Sequence, residues 1–453
     1  MPSDPLLDVR RTDASVDLPR LFRALAAVHP DLFWLDAGAG AVDGWSIIGI
    51  GEPDAAGPGD VRLDVAAGTG GLPPFRGGWV GWLDYDSGAQ RAGAPASEPE
   101  GGPAWLRVTA ALAVDHATGA VWEVGASLRS HFRGSLSERS ETKRVERAQR
   151  VEASPLSAAS ARHTPDEYAA LIERCRDAIR AGDAYQLCLT TRFTVPGAHD
   201  AVETYLRLRT ATPAHHGGFV RIGGRTLLSA SPETFLHAAG GRIRTRPIKG
   251  TRPRGADAAS DAALAAELKA SPKERAENVM IVDLMRNDLS QVCEPGSIRV
   301  GGLWEVESYP AVHQLVSTVS GCAAAGLTVR GLWHAAFPAG SMTGAPKLSA
   351  MTLLNELESG APRGVYSGCF GYVGTDGAMD LAMVIRSILI DGDRAVVGAG
   401  GGITWGSEPA AEVDEVATKA RAPLAALGAA LPESWRNPFG GLDATSIRYP
   451  GTS

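Results

Sequence analysis

Apolar and polar residues alternate with a period of two in many short runs of this chain, and follow a helical period in a few longer ones. Tyr185, Leu187, Leu189, Thr191, Phe193 and Val195 alternate with Gln186, Cys188, Thr190 and Arg192. That pattern predicts a strand with one apolar face and one more polar face. Phe219–Ile222, Thr226–Ala230, Arg242–Ile248, Val365–Val373, Ala382–Ile390 and Ala395–Ala399 read as further strands. Residues 1 to about 125 read as short strands broken by Gly and Pro, with Trp45–Gly51 and Gly77–Leu83 as examples.

Helix signals are fewer. Thr164-Pro165-Asp166-Glu167 is a capping box with proline at the first helical position. Tyr168, Leu171, Ile172, Cys175 and Ile179 then recur at helical spacing, and Gly182 supplies a stop. Ser271-Pro272-Lys273-Glu274 is a second capping box, and a final helix starts near Pro409. Strands in succession with irregularly spaced helices predict an α+β fold with antiparallel sheets, not a βαβ parallel one. The expected organisation is an N-terminal part over 1–125, a polar connector over 126–163, a core over 164–425 and a tail over 426–453.

Composition narrows the function. The 453 residues are 44% hydrophobic, 21% charged and 6% aromatic, with net charge −7. No bulk field attracts nucleic acid or an anionic membrane, so local cations must hold any anionic ligand. The N-terminus lacks a basic region followed by an apolar run, and no stretch reaches the length of a membrane span. Five scattered cysteines, never paired as C-x-x-C, argue against a disulfide framework or thiolate zinc and suit a reducing cytoplasm. A hard cation on carboxylates, magnesium above all, is the metal this chemistry favours.

Three constellations carry candidate chemistry. Lys249, in Pro247-Ile248-Lys249-Gly250-Thr251, lies in sequence between Glu233 of Ser231-Pro232-Glu233 and Glu277. A lysine so placed is a surface cation or, once buried or set beside another charge, a nucleophile or general base. Glu277 falls on the stripe Met280, Ile281, Leu284 and Asp288, where it either ligates a metal or pairs with Lys273. Glu408, Glu412 and Glu415 line one face of the last helix, where a cation would offset their repulsion, although Glu415 and Lys419 also form an ordinary i, i+4 pair. The run Gly398–Gly402 either lets backbone N–H groups reach a ligand carboxylate or forms a bulge. Arg386, in the apolar run Ala382–Arg386, needs an anionic partner, whether ligand or side chain. Phe337–Lys347 is not a phosphate loop: Pro346 separates the glycine from Lys347.

Taken in order, these segments resemble the chorismate-utilising enzymes, closest to the component I (large subunit) branch of the aminodeoxychorismate synthases. The matching stretches are Gly182–Gln186, Ser231–Glu233, Pro247–Thr251, Glu274–Asn278, Asp283–Leu289, His313 with Ser317–Gly321, Gly340–Lys347, Gly364–Gly368 and Gly400–Glu415. They run from about residue 165 to 425; the N-terminal third matches more loosely, through Trp45–Gly49 and Gly77–Gly81.

The resemblance implies two stacked antiparallel sheets with helices outside, and a site for chorismate and Mg²⁺. By motif, Glu277 and Glu415 look like the magnesium ligands, with Glu412 supporting. Tyr366 and Arg386 look like the grip on the pyruvyl carboxylate, helped by backbone N–H groups at Gly400 and Gly402. Gly250, Thr251 and His313 look like pocket wall, and Thr343 and Gly344 could line the same pocket. Glu233 resembles the family's general acid, which protonates the departing C4 hydroxyl. Lys249 resembles the lysine that attacks C2 before ammonia adds at C4. Anthranilate synthases carry alanine in that pentapeptide, and isochorismate- and salicylate-forming relatives place a lysine where this chain has Gln186.

Leu32-Phe33-Trp34-Leu35-Asp36 lacks the Leu-Leu-Glu-Ser signature, so feedback by tryptophan is not expected. No cysteine lies in a Gly-x-Cys-x-Gly elbow, so ammonia is expected from a separate glutaminase subunit or as the free species. The runner-up is a component I that makes anthranilate or 2-amino-2-deoxyisochorismate. A chorismate-binding subunit without turnover is the third reading.

Overall fold

The strand Gln186–Pro196 forms where the alternation predicts it. Leu187, Leu189, Phe193 and Val195 face a helical layer, while Gln186, Cys188 and Thr190 belong to the opposite face. The computed structural model describes residues 6–13, 15–65, 71–99, 101–102, 104–128, 157–309, 312–436 and 438. Much of the connector expected over 126–163 and of the tail over 426–453 lies outside those residues.

One antiparallel path of strands builds the framework. It runs from Gln186–Pro196 through Arg394–Ile403, Ser387–Asp391, Arg225–Ser231, His216–Ile222, Leu32–Asp36 and Trp45–Pro53 to Ala104–Asp115. Ala104–Asp115 is long enough to serve twice. Beyond its pairing with Trp45–Pro53, its later half pairs with Val121–Gly125 and its start with Gly78–Leu83. From Gly78–Leu83 the path continues through Cys369–Gly374, Met379–Met383, Thr234–Ala239 and Arg242–Thr245 to Val312–Cys322. That last strand holds both Ile248–Pro253 and Arg299–Ser308.

The path folds back on itself as two stacked sheets. Phe33, Ile47, Val220 and Leu227 of one sheet pack on Val80, Trp82, Phe370, Tyr372 and Ala382 of the other. Helices cover both outer faces. Leu18–Val28, Pro165–Ala181, Ala201–Ala211 and Pro409–Ala426 pack on the first sheet through Phe22, Ile172, Tyr205 and Val416. Pro272–Ser290 and Val329–Ala336 cover the second through Ile281, Met285, Leu289 and Leu332. Each such side chain contributes about 1.5–3 kcal/mol by leaving water. Among the described residues no helix is long and apolar enough to cross a membrane, and all five cysteines are free thiols.

Several expectations need correction. Residues 1–125 hold two helices as well as strands: Leu18–Val28, capped by Asp17 on the Arg20 N–H, and Tyr85–Arg91, capped by Asp84 on the Ser87 N–H. The expected strand Arg242–Ile248 is two strands, parted at Arg246 and Pro247. Val365–Val373 begins as turn and becomes strand only at Cys369. Ala382–Ile390 is interrupted, and Arg386 stands in the break with φ +52, a left-handed backbone that no strand interior contains. The glycine run forms no bulge: Arg394–Ile403 pairs residue for residue with Leu187–Pro196. At the second capping box Ser271 accepts the Glu274 N–H, but the Glu274 carboxylate turns to Arg252 instead of completing the box.

Candidate active site

Local backbone chemistry places Lys249. The pairing of Ile248–Pro253 with Val312–Cys322 slips between Ile248 and Thr251, so Lys249 and Gly250 bulge out of register. Gly250 has φ +83, and a Cβ there would stand 2.8 Å from Glu274 Oε2 and 2.9 Å from Leu268 Cδ1. Only glycine makes that turn. Lys249 Nζ comes within 3.8 Å of Glu277 Oε2, both side chains being largely buried, and Lys273 Nζ lies 3.9 Å from Glu277 Oε1. The cationic pairing expected of Glu277 is therefore present, and Lys249 shares it.

Glu233 ends the turn before Thr234–Ala239 and is 7% exposed. Burial pushes its carboxyl up to about 7, against the opposing pull of the Ser341 hydroxyl, Lys249 and Lys419. A carboxylic acid held near neutrality is suited to proton donation.

The glycine-rich strand forms the floor. A Cβ on Gly402 would sit 2.9 Å from Gln186 Nε2 and 3.0 Å from Lys249 Nζ, and one on Gly401 would sit 2.9 Å from Glu412 Oε2. On Gly398 it would stand 2.1 Å from Cγ of the Tyr366 ring, and on Gly400 it would meet Leu189 O at 2.4 Å. Absence of side chains is what lets Gln186, Lys249 and Tyr366 close over one face of this strand, while Glu412 meets Gly401 from the helical face. Gln186 is fully buried, yet neither its Nε2 nor its Oε1 has a partner. A buried amide left unbonded marks a place for a polar ligand or water.

Tyr366 stands over Gly398, and Arg386 lies close enough for the two groups to act on one another electrostatically. Burial raises the Tyr366 hydroxyl well above its ordinary range and lowers the Arg386 guanidinium, which Tyr366 and Glu415 partly restore. Gly344, with φ +151, backs the site: a Cβ there would lie 2.1 Å from Gln186 O. Thr343 is fully buried and donates its hydroxyl to Ala339 O at 3.2 Å.

Two expected pocket residues stand differently. Thr251 is exposed. Both ring nitrogens of His313 are engaged, Nδ1 with Ser308 Oγ at 2.8 Å and Nε2 with Asp261 Oδ1 at 2.9 Å.

Comparison with known proteins follows this geometry. Residues 60–425 match the family of chorismate binding enzymes. The chain belongs to that family. It is 39% identical to an aminodeoxychorismate synthase of Streptomyces pristinaespiralis over 93% of this chain and 65% of that protein. It is also 39% identical to anthranilate synthase component 1 of Streptomyces coelicolor, over 79% of this chain and 74% of that one. The crystal structure of anthranilate synthase component I from Streptococcus pneumoniae superposes with a TM-score of 0.65 at 31% identity, covering 80% of this chain and 83% of that one. The chain thus spans about two thirds of the first relative's length, and overall identity does not separate the two activities.

In this chorismate binding enzyme three carboxylates flank the glycine-rich strand, Glu277 beside Lys249 and Glu412 and Glu415 on the helix Pro409–Ala426. Burial raises Glu277, with Glu415 adding to the rise while Lys249 and Lys273 oppose it. Burial likewise raises Glu412, and Glu415 again adds to it. Desolvation also acts on Glu415, whose side chain is 54% exposed, but Lys419 together with Lys249 and Lys273 holds that carboxyl below its ordinary value. Among the described residues no three His, Cys, Asp or Glu side chains converge into a cage. Magnesium needs no such cage, since it takes one or two carboxylates and completes its shell with substrate and water oxygens. Glu277 and Glu412, largely buried, and the more exposed Glu415 are mutually repelling oxygen donors that fit such a cation.

Two contacts at the site are not encoded in the sequence pattern. Lys419 Nζ pairs with Glu415 Oε1 at 2.8 Å, as the spacing suggests, but also donates to Gly400 O at 2.7 Å, which ties the carboxylate helix to the glycine floor. Ser341 lies against Glu233 and is buried. Its place inside the Gly340–Lys347 motif was the available signal; which side chain it touches was not.

Proposed function

We propose that this chain aminates chorismate at C4, giving 4-amino-4-deoxychorismate, with Lys249 as nucleophile and Glu233 as general acid. The observation that carries the reading is Lys249 itself, whose Nζ stands over Gly402 beside Gln186, in the pentapeptide where the family resemblance implies alanine for anthranilate synthases. Lys249 first passes its ammonium proton to solvent; the amine then bonds to C2 of the ring, the double bond shifts, and the C4–O bond breaks. Glu233 gives its proton to the departing hydroxyl, which leaves as water. Ammonia then bonds to C4, the double bond shifts back, and the C2–N bond to Lys249 breaks, so the enolpyruvyl ether survives.

Tyr366 and Arg386 hold the enolpyruvyl carboxylate, with the N–H groups near Gly400 and Gly402 as further donors. Glu277 and Glu415, supported by Glu412, hold magnesium, which would neutralise and orient the ring carboxylate. Ammonia comes from a separate glutaminase subunit in the cytoplasm.

The test is product identity. The protein is incubated with chorismate, Mg²⁺ and ammonium, followed by the lyase that releases 4-aminobenzoate. 4-Aminobenzoate is the expected product, and anthranilate fluorescence in its place refutes the assignment. Likeness to the Streptomyces coelicolor anthranilate synthase keeps that second reading in the same assay. Lys249→Ala should abolish C4 amination or divert it; unchanged rate and product would remove the covalent role.

A further inference from the structure

Against the strand that pairs with the glycine floor lies a buried ion pair that no step above uses. Arg363 and Glu358 have side chains 2% and 3% exposed. Arg363 Nε donates to Glu358 Oε2 at 2.8 Å and Nη2 to Oε1 at 2.7 Å. The same guanidinium donates through Nη1 to Met342 O at 2.9 Å and through Nη2 to Cys188 O at 2.8 Å, and lies 4.3 Å above the Tyr85 ring. Glu358 Oε1 also accepts both the backbone N–H and the hydroxyl of Thr190, each at 2.9 Å. Asp86 holds the backbone on the other side, accepting the Arg363 N–H at 3.2 Å and the Gly364 N–H at 2.7 Å.

Every segment so gripped delivers a site residue. Cys188 is two residues from Gln186 on one strand, and Met342 stands between Ser341 and Thr343. Thr190 pairs with Gly400, and Arg363 precedes Tyr366 by three residues. A buried ion pair is weak evidence for stability, because desolvating both charges offsets most of their attraction. Four directed hydrogen bonds from one guanidinium to three separate chain segments do, however, fix those segments relative to one another. A lysine ammonium, a point charge with no planar fork, cannot reproduce that pattern.

We infer that Arg363, braced by Glu358, is a positioning residue for the reaction: it sets the spacing of Gln186, Ser341, Thr343 and Tyr366 around the substrate without touching it. The inference rests on the chorismate reading of the site but not on which product forms.

The test follows chorismate consumption, whatever the product, in Arg363→Lys and Glu358→Gln. Each keeps the approximate volume and part of the bonding. Melting temperature and Mg²⁺ half-saturation are measured alongside. Misplacing reacting groups by about 1 Å costs on the order of 100-fold in rate. Folded Arg363→Lys should therefore lose at least about 10-fold in kcat, with Mg²⁺ half-saturation unchanged. The alkaline limb of its pH profile should also move upward, because Ser341 no longer holds the Glu233 carboxyl down. Folded variants with wild-type kcat and pH profile overturn the inference. So does failure of both to fold, which would assign the pair to stability. A wild-type protein that consumes no chorismate refutes the functional reading instead, so the two failures are distinct.

Discussion

Gly402→Ala separates folding from chemistry at this site. The new methyl would stand 2.9 Å from Gln186 Nε2 and 3.0 Å from Lys249 Nζ, where an unstrained contact needs roughly 3.5 Å. Each polar tip must therefore retreat by about 0.5 Å. Both are ends of flexible side chains, and Gly402 lies in regular strand, so the fold has little to lose. Replacing glycine where the backbone already suits alanine favours folding by about 0.4–1 kcal/mol through the unfolded chain. The two effects nearly cancel, and the melting temperature should change by only a few degrees. Turnover is another matter. Displacing the Lys249 amine and the Gln186 amide by half an ångström or more should lower kcat by roughly 10- to 100-fold.

Gly398→Ala is the contrasting control. Its Cβ would meet three atoms of the Tyr366 ring at 2.1, 2.4 and 2.6 Å. A rigid ring has no flexible end to move, so that variant should lose about 1–3 kcal/mol of stability or more. Thermal melts and steady-state chorismate consumption with Mg²⁺ and ammonium read both quantities. A Gly402→Ala protein with wild-type kcat and KM, or one as unstable as Gly398→Ala, would refute the reasoning.

Other outcomes follow from the same geometry. Glu233 acts while protonated, so kcat/KM should fall as pH rises through about 7; Glu233→Gln should cost on the order of 10²–10⁴-fold in kcat and erase that limb. Because the folded Glu233 carboxyl is raised above its unfolded value, its contribution to stability is fully present below the unfolded value and lost as pH rises through about 7. Glu233→Gln should therefore gain in relative melting temperature from pH 5 to pH 9, and a constant difference would contradict the burial argument. Glu277→Gln and Glu415→Gln should raise the Mg²⁺ concentration for half-maximal turnover by about tenfold or more, the loss expected for a perturbed metal shell; unchanged Mg²⁺ dependence would remove them as ligands. Thr164→Ala removes the reciprocal capping box of Pro165–Ala181 and should cost about 1 kcal/mol in denaturant unfolding, with kcat unchanged.

Legibility of the fold differed by element. Thr164, Pro165 and Gly182 bound one helix where the sequence places its ends, because caps are local hydrogen bonds and local dihedrals. The helix Leu18–Val28 also has its cap and its stripe of Leu18, Leu21, Phe22 and Leu25, a local helical signal inside a region that otherwise reads as short strands. Arg386 shows the limit of periodicity: an apolar run looks continuous, while one left-handed residue breaks the strand. At the site, motif order brought Glu233, Lys249, Gln186, Glu277 and Glu415 to notice. The engagement of His313 by Asp261, and the contact of Ser341 with Glu233, join residues far apart in the chain and leave no local trace.

The sequence by itself determined the family, the antiparallel α+β class and the residue types available for chemistry, since these follow from alternation, caps and motif order. Tertiary structure alone decided that Gly398–Gly402 is a paired floor and not a bulge, because that depends on what stands opposite each missing Cβ. It also decided that Lys249 leans on Glu277 beside an unpartnered Gln186, and that Arg363 binds three segments at once. Distances of a few ångströms between residues tens to hundreds of positions apart are set by how two sheets stack, and no local pattern encodes them.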